Sequence, residues 1–191
     1  MTGIGIILAS TRQQRRGDQV ARWVRDRASG RGDAAFELID LRDHPLPHLD
    51  EALPPAHGPS EHEHTRAWAA TIAPFDGFVI VTCEYNHSIP GVLKNALDHA
   101  YAEWNNKAVG LVSYSATGGV RAAEQLRLVC GALEMADVSA QVAVPIFEFE
   151  EGFTRFRPSA LSTAALDAML DQVVAWSAAL APLRAAAMAS A

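Results

Sequence analysis

Residues 78–98 read FVIVTCEYNHSIPGVLKNALD, and the fold turns on how this stretch is understood. Phe78 to Val81 is a continuous apolar run of the kind that forms a strand covered on both faces. The chain then breaks into a polar turn, Glu84-Tyr85-Asn86-His87-Ser88, and restarts at Pro90. Proline is tolerated at the first position of a helix, where its missing N–H would be unpaired anyway, and Ser88 is placed to cap that helix. Val92, Leu93, Ala96, Leu97 and Ala100 recur at helical spacing and give it one apolar face. A buried strand, a polar loop and an amphipathic helix make the unit of a parallel sheet. Open α/β folds bind ligands in the loops at the carboxyl ends of such strands.

The same unit repeats on either side. Ile4 to Leu8 is a short apolar strand, followed by Ala9-Ser10-Thr11-Arg12-Gln13-Gln14-Arg15-Arg16-Gly17 and a helix carrying Val20, Trp23, Val24 and Ala28. Phe36 to Leu41 is a second strand, Ala108 to Ser113 a fourth and Val138 to Val144 a fifth. Between the last two, Ala123, Leu126, Cys130 and Leu133 lie on one helical stripe. His44 to His64 holds Pro45, Pro47, Pro54, Pro55 and Pro59, too broken for helix or central strand, and predicts a long surface loop. A short helix over His62 to Ile72 follows it. Phe147 to Pro158 reads as an acidic, aromatic loop, and Ser159 to Leu183 as one long alanine-rich helix. The tail to Ala191 has no anchoring pattern and is expected to fray. Five alternations of strand and helix call for a three-layer, doubly wound α/β fold with a parallel sheet in the order 2-1-3-4-5. No repeat or linker divides it, so one domain is expected over residues 1–191.

Composition narrows the function. The net charge of -6 argues against a general nucleic-acid binder, which needs clustered positive surface. No apolar run approaches a membrane span, and the N-terminus lacks the basic region of a signal peptide. Cys83 and Cys130, far apart and without metal-type spacing, fit reduced thiols in a cytoplasmic protein.

Three loops carry candidate chemistry. Ser10, Thr11, Arg12 and Arg15 cluster hydroxyls and guanidinium groups ahead of a helix N-terminus at Gly17, a setting that suits a phosphate. The loop matches neither GxGxxG nor GxxxxGK[ST], so neither a dinucleotide fingerprint nor a P-loop is indicated. Glu84, Tyr85, Asn86 and His87 offer main-chain donors and an aromatic wall for a planar ligand. Ser115, Gly118 and Gly119, after the fourth strand, permit close backbone approach. In the expected strand order all three loops surround the switch point beside strands one and three.

These blocks, STRQQRRG, EYNHSIPGVLKNALD and SYSATGGVRAAEQLR, resemble the NADPH-dependent FMN reductase family of flavodoxin-like proteins, which includes azo-dye, quinone and chromate reductases. The resemblance runs over about Ile4 to Val144. It implies that Ser10, Arg12 and Arg15 hold the FMN phosphate. Glu84, Tyr85, Asn86 and His87 line the isoalloxazine and ribityl chain, with Ser115, Gly118 and Gly119 on the far side. It further implies ping-pong hydride transfer from NADPH or NADH through FMN to a small-molecule electron acceptor (a quinone, azo compound, metal oxyanion or free flavin). Backbone donors near Asn86 are expected to stabilise the reduced flavin, and no catalytic side chain is expected. A homodimer or homotetramer is implied, with the segment Leu46 to Leu53 near the active site and the dimer contact. The sequence departs from the family where Ala9 replaces Gly and Cys83 replaces Pro. An electron carrier of flavodoxin type, or a biosynthetic flavoenzyme on the same fold, is the alternative.

His57, His62 and His64 with Glu61 and Glu63 tempt a metal reading, but the pattern is that of a solvated helix start, and no metal is expected. Trp23 and Trp104 are expected to pack in the core.

Overall fold

A computed structural model describes residues 1–58 and 60–190; Pro59 and Ala191 lie outside them. Five parallel strands form one sheet: β1 (Thr2–Leu8), β2 (Ala34–Asp40), β3 (Gly77–Cys83), β4 (Ala108–Ser115) and β5 (Ala136–Pro145), in the order β2-β1-β3-β4-β5. This is the flavodoxin-like order. β3 is buried at every residue because helices cover both of its faces.

Side chains alternate across the pleat, so the apolar runs feed two cores. Ile4, Ile6, Leu8, Val79 and Val81 face α1 (Gly17–Ser29) and the C-terminal helix α6 (Ala160–Ala179), through Val20, Val24, Leu166, Met169, Leu170 and Val173. Ile7, Phe78, Ile80, Val109 and Leu111 face the other layer, α2 (Glu63–Ile72), α3 (Gly91–Asp98) and α4 (Val120–Ala132). Trp68 and Trp104 are fully buried there, their rings 6.1 Å apart, and each indole N–H donates to a carbonyl. Trp104 is therefore a core residue, as expected, whereas Trp23 is half-buried and meets Phe156 edge-on at 5.4 Å.

Local chemistry moved several boundaries. Pro90 is the residue that caps α3, not its first helical residue, and Ser88 makes no cap hydrogen bond. Ser88 is held instead by the preceding turn. The acidic, aromatic loop contains a short helix, α5 (Glu150–Phe153), and a two-residue strand, β6 (Arg155–Phe156), that bridges back to Phe149 and Glu150. Buried Glu148 accepts the hydroxyls of Ser159 and Ser162 at 2.6 Å each, fixing the start of α6. The long C-terminal helix is two helices, since α6 ends at Ala179 and α7 runs Ala181–Ser190 at 43° to it. Pro182 explains the break, because its ring clashes with the carbonyl four residues earlier. The start of α7 is anchored: Arg184 donates to Asp76 at 2.8 Å and to the Ser177 and Asn106 carbonyls at 2.9 and 3.1 Å, while the end of the tail at Ala191 lies outside the described residues. Among the described residues no single helix is long and apolar enough to cross a membrane; α6 with α7 reaches that length only as a bent pair.

Candidate active site

The register places the ends of β1, β3 and β4 side by side, Leu8 opposite Val81 and Cys83 opposite Tyr114. The loops after these strands therefore open on one sheet edge. The first begins at Ala9, whose N–H donates to the Val81 carbonyl at 3.0 Å. Ala9 is fully buried and is not among the residues with φ > 0, so a methyl group in place of hydrogen is accommodated without backbone strain.

Beyond Ala9 the loop is tied down by its carbonyls. Arg15 Nη1 donates to the Ser10 carbonyl at 2.6 Å. Arg42, just past β2, donates to the carbonyls of Thr11 at 3.3 Å, Gln13 at 3.2 Å and, most closely, Arg12. Among the described residues no hydrogen-bond partner takes the N–H groups of Thr11, Arg12, Gln13 or Gln14. The loop thus presents donors on a fixed frame, and Arg12 stands exposed beside them.

Arg15 is not part of that presentation. It is 7% exposed, and its guanidinium is committed to Asp18 at 2.8 Å and, bidentately, to Asp40. Burial acts to lower its pKa, but the hydrogen bonds and charges of Asp40 and Asp18 outweigh it and hold the proton more firmly than usual. For Asp40 burial acts upward, and the hydrogen bonds from Arg15 and the Arg42 N–H outweigh it, so its carboxyl lies below the ordinary range. In this arrangement Arg15 braces the loop from below, its donors taken by the Ser10 carbonyl and the Asp18 and Asp40 carboxylates. Gly17 is likewise buried. A Cβ there would stand 2.6 Å from the Tyr114 hydroxyl and 2.8 Å from Leu8 Cδ1, so glycine lets α1 approach the sheet rather than a ligand. Tyr114 is itself buried with Ser10 and Cys83 beside it; burial and the neighbouring thiol push its hydroxyl's pKa well up.

The second loop is a tight turn. Tyr85 and Ser88 exchange backbone hydrogen bonds at 2.9 and 3.0 Å, and the two residues between them, Asn86 and His87, have φ of 50° and 68°. Two successive left-handed residues make the mirror-image turn that joins closely spaced strands. Asparagine suits it; histidine there carries local strain of about 1 kcal/mol or more. Tyr85, Asn86 and His87 are exposed, and among the described residues nothing accepts the Asn86 and His87 N–H groups.

In the third loop Ser115 Oγ accepts the N–H groups of Thr117 and Gly119 at 3.1 and 2.7 Å, so its hydroxyl pins its own turn. Gly118 and Gly119 have φ of 81° and 72°, and a Cβ on Gly119 would fall 2.9 Å from Ser113 Cβ. Both observations require glycine at that position.

Arg121, in the first turn of α4, joins the second and third loops. It pairs with Glu84, donates from Nη1 to His87 Nε2 at 3.0 Å and from Nη2 to Thr117 Oγ1 at 3.4 Å. Because a guanidinium only donates, His87 Nε2 accepts and its ring proton sits on Nδ1. The Glu84 side chain is 4% exposed, and its Oε2 is buried with no hydrogen-bond partner among the described residues. Sequence reading quoted Arg121 without giving it a role, and passed over Asp40 and Arg42; the position of Asp40 at the carboxyl end of β2 was the available signal.

The sequence profile of the NADPH-dependent FMN reductase family matches residues 2–148. The chain belongs to this family. An NAD(P)H-dependent FMN reductase of Schizosaccharomyces pombe is 43% identical over 132 residues, which make up 68% of this chain and 66% of that protein. The chain thus spans slightly less than two thirds of that relative's length. A 2-hydroxy-1,4-benzoquinone reductase of Burkholderia sp is 34% identical over 69% of this chain and 72% of its own. Among solved structures, the flavoenzyme NAD(P)H:(acceptor) oxidoreductase FerB from Paracoccus denitrificans shares the fold with a TM-score of 0.71 at 22% identity, covering 93% of this chain and 97% of that one.

Proposed function

We propose that the protein is an FMN-dependent NAD(P)H oxidoreductase that passes electrons to a small-molecule acceptor of the quinone class. The observation that carries this reading is the first loop, where Arg15 and Arg42 hold the carbonyls and four successive N–H groups are left to meet an anion. FMN supplies the redox chemistry when bound, accepting hydride from a nicotinamide and handing electrons to the acceptor.

The donor set fits that cofactor. The amides of Thr11 to Gln14, with the Ser10 and Thr11 hydroxyls and the Arg12 guanidinium, would hold the phosphate. The N–H groups of Asn86 and His87, which no described residue accepts, would serve the acceptor edge of the ring, with Tyr85 beside them. Gly118 and Gly119, required by their positive φ and by the protein atoms beside them, shape the third loop on the far side. Glu84 Oε2, buried and unpaired, is the acceptor for a donor that the protein does not itself provide. Arg121 neutralises the other oxygen and locks the second loop to the third.

The relative that reduces 2-hydroxy-1,4-benzoquinone supports a quinone as acceptor; an azo compound, a metal oxyanion or free flavin would meet the same exposed face. The enzyme works as a single domain in the cytoplasm, as a homodimer or homotetramer. Its two cysteines, both buried and unpaired, suit a reducing compartment.

The test is the visible spectrum of the protein supplied with FMN and then with NADPH or NADH under anaerobic conditions. A bound-flavin spectrum that bleaches within seconds is expected. Flavin bound but slow to bleach would turn the assignment toward an electron carrier, and no bound flavin would refute it.

A further inference from the structure

The long proline-rich connection between β2 and α2 brings together groups that lie far apart in the chain. Asp50 and Glu51 come from the connection, His64 from the first turn of α2, and His99 from the end of α3. One ligand atom from each of the four lies within 4.8 Å of all the others. His64 Nε2 already stands 3.0 Å from Asp50 Oδ1. Two imidazoles and two carboxylates form a donor set of borderline softness, suited to zinc and its divalent neighbours rather than to magnesium or calcium.

The surroundings are those of a built site. His99 is fully buried, and its Nε2 lies 3.1 Å from the Pro47 carbonyl. A carbonyl only accepts, so the proton is on Nε2 and the lone pair is on Nδ1, the tautomer a metal ligand needs. Fixing a ligand's tautomer through its outer nitrogen in this way is usual at metal centres. Nδ1 accepts the Thr65 hydroxyl at 2.9 Å, so an ion bound there takes over a lone pair that Thr65 now holds. Glu51 is oriented by the Ser60 hydroxyl, which donates to its Oε1. The His62 ring stacks on His64 at 5.1 Å, with 12° between the planes. A cavity of about 580 Å³ adjoins two of the four, Glu51 and His99, with Ser60, His62 and Thr65 also in its wall.

We propose that Asp50, Glu51, His64 and His99 form a zinc-type divalent metal site that clips the proline-rich connection onto α2 and α3. Such an ion is redox-inert as zinc, so the site is structural and independent of the electron transfer proposed above. It requires neutral imidazoles and ionised carboxylates as ligands.

The experiment uses the untagged, FMN-loaded full chain, dialysed against a chelator and titrated with ZnCl2 against a chromophoric competitor. One zinc per chain is expected. The double variant Asp50→Asn, His64→Gln should bind it at least about 100-fold more weakly. Both residues are at or near the surface, and an unchanged flavin spectrum reports that the variant is folded. Cobalt(II) in place of zinc should give the intense visible bands of a low-coordinate site in the wild type and not in the variant. Zinc should also slow proteolytic cutting within residues 44–58 of the wild type only. Zinc binding of equal strength in wild type and variant, or a cobalt spectrum in both that matches the hydrated ion, would overturn the proposal.

Discussion

Two connections leave neighbouring strands at the same edge of the sheet, and they are held in opposite ways. The one after β1 is short and braced from below: Arg15, with Asp18 and Asp40, fills its underside, and Arg42 gathers three of its carbonyls. The one after β2 is long, and side chains of the α2/α3 layer hold it. Asn95 receives the Leu49 N–H at 3.1 Å and donates to the Pro47 carbonyl at 2.7 Å, while His99 reaches the same carbonyl. A braced backbone leaves its amides free for a ligand, and a loop hung on side chains depends on what those side chains bind. The first is suited to hold a cofactor permanently; the second can be tightened or released.

The sharpest way to break this contrast is to remove the brace. Arg15→Met leaves Asp40 facing a buried apolar group, and the unfolding free energy should fall by about 3 kcal/mol, with a matching loss of Tm and of FMN affinity. Unchanged stability would mean that the first loop stands without its brace. Arg12→Ala should do the reverse, weakening FMN binding by about 2 kcal/mol through loss of charge-assisted bonds while leaving Tm of the FMN-free protein in place. Equal effects of the two variants on flavin affinity with no effect on stability would put Arg15 back at the phosphate.

The pH dependence tests the same brace. Asp40 has its pKa depressed in the folded protein, so its contribution is complete above the unfolded value near 4 and is lost as the pH falls through the lower folded value. Acid denaturation curves of Asp40→Asn should therefore be flatter below about pH 4 than those of the wild type. Parallel curves would show that the pair adds nothing in the folded state. The smallest effect belongs to the second connection. Asn95→Ala removes two loop hydrogen bonds and should cost about 1 kcal/mol, seen as faster proteolysis within residues 44–58 with FMN affinity unchanged. A loss of flavin binding there would show that the two loops are not independent.

How legible was this in the sequence? Strand β3 and helix α3 declared themselves because an unbroken apolar run and a helical stripe need no partner to be recognised. The three loops were located for the same reason, by the strands they follow. What the sequence does not show is which protein groups the individual polar side chains bond. Arg12 and Arg15 are three residues apart and chemically alike, yet one is exposed and the other 7% exposed on two carboxylates. Asp40, which makes that difference, is 25 residues away. The cap of α3 falls on Pro90, two residues past Ser88, and the turn at Asn86 and His87 takes the Ser88 backbone for itself. The C-terminal helix was overrun because alanine-rich periodicity hid what Pro182 does to the carbonyl four residues before it.

By itself the sequence determined the layers, the strand order and the edge at which a ligand is received, since periodicity and loop position are local properties of the chain. Which arginine is committed to the protein's own carboxylates, which glycine lets a helix approach the sheet, and the meeting of Asp50, Glu51, His64 and His99 were decided by the tertiary structure alone. The reason is that a polar side chain takes its role from the nearest opposite charge or free carbonyl, and in a parallel sheet that neighbour comes from another strand or helix, tens of residues away.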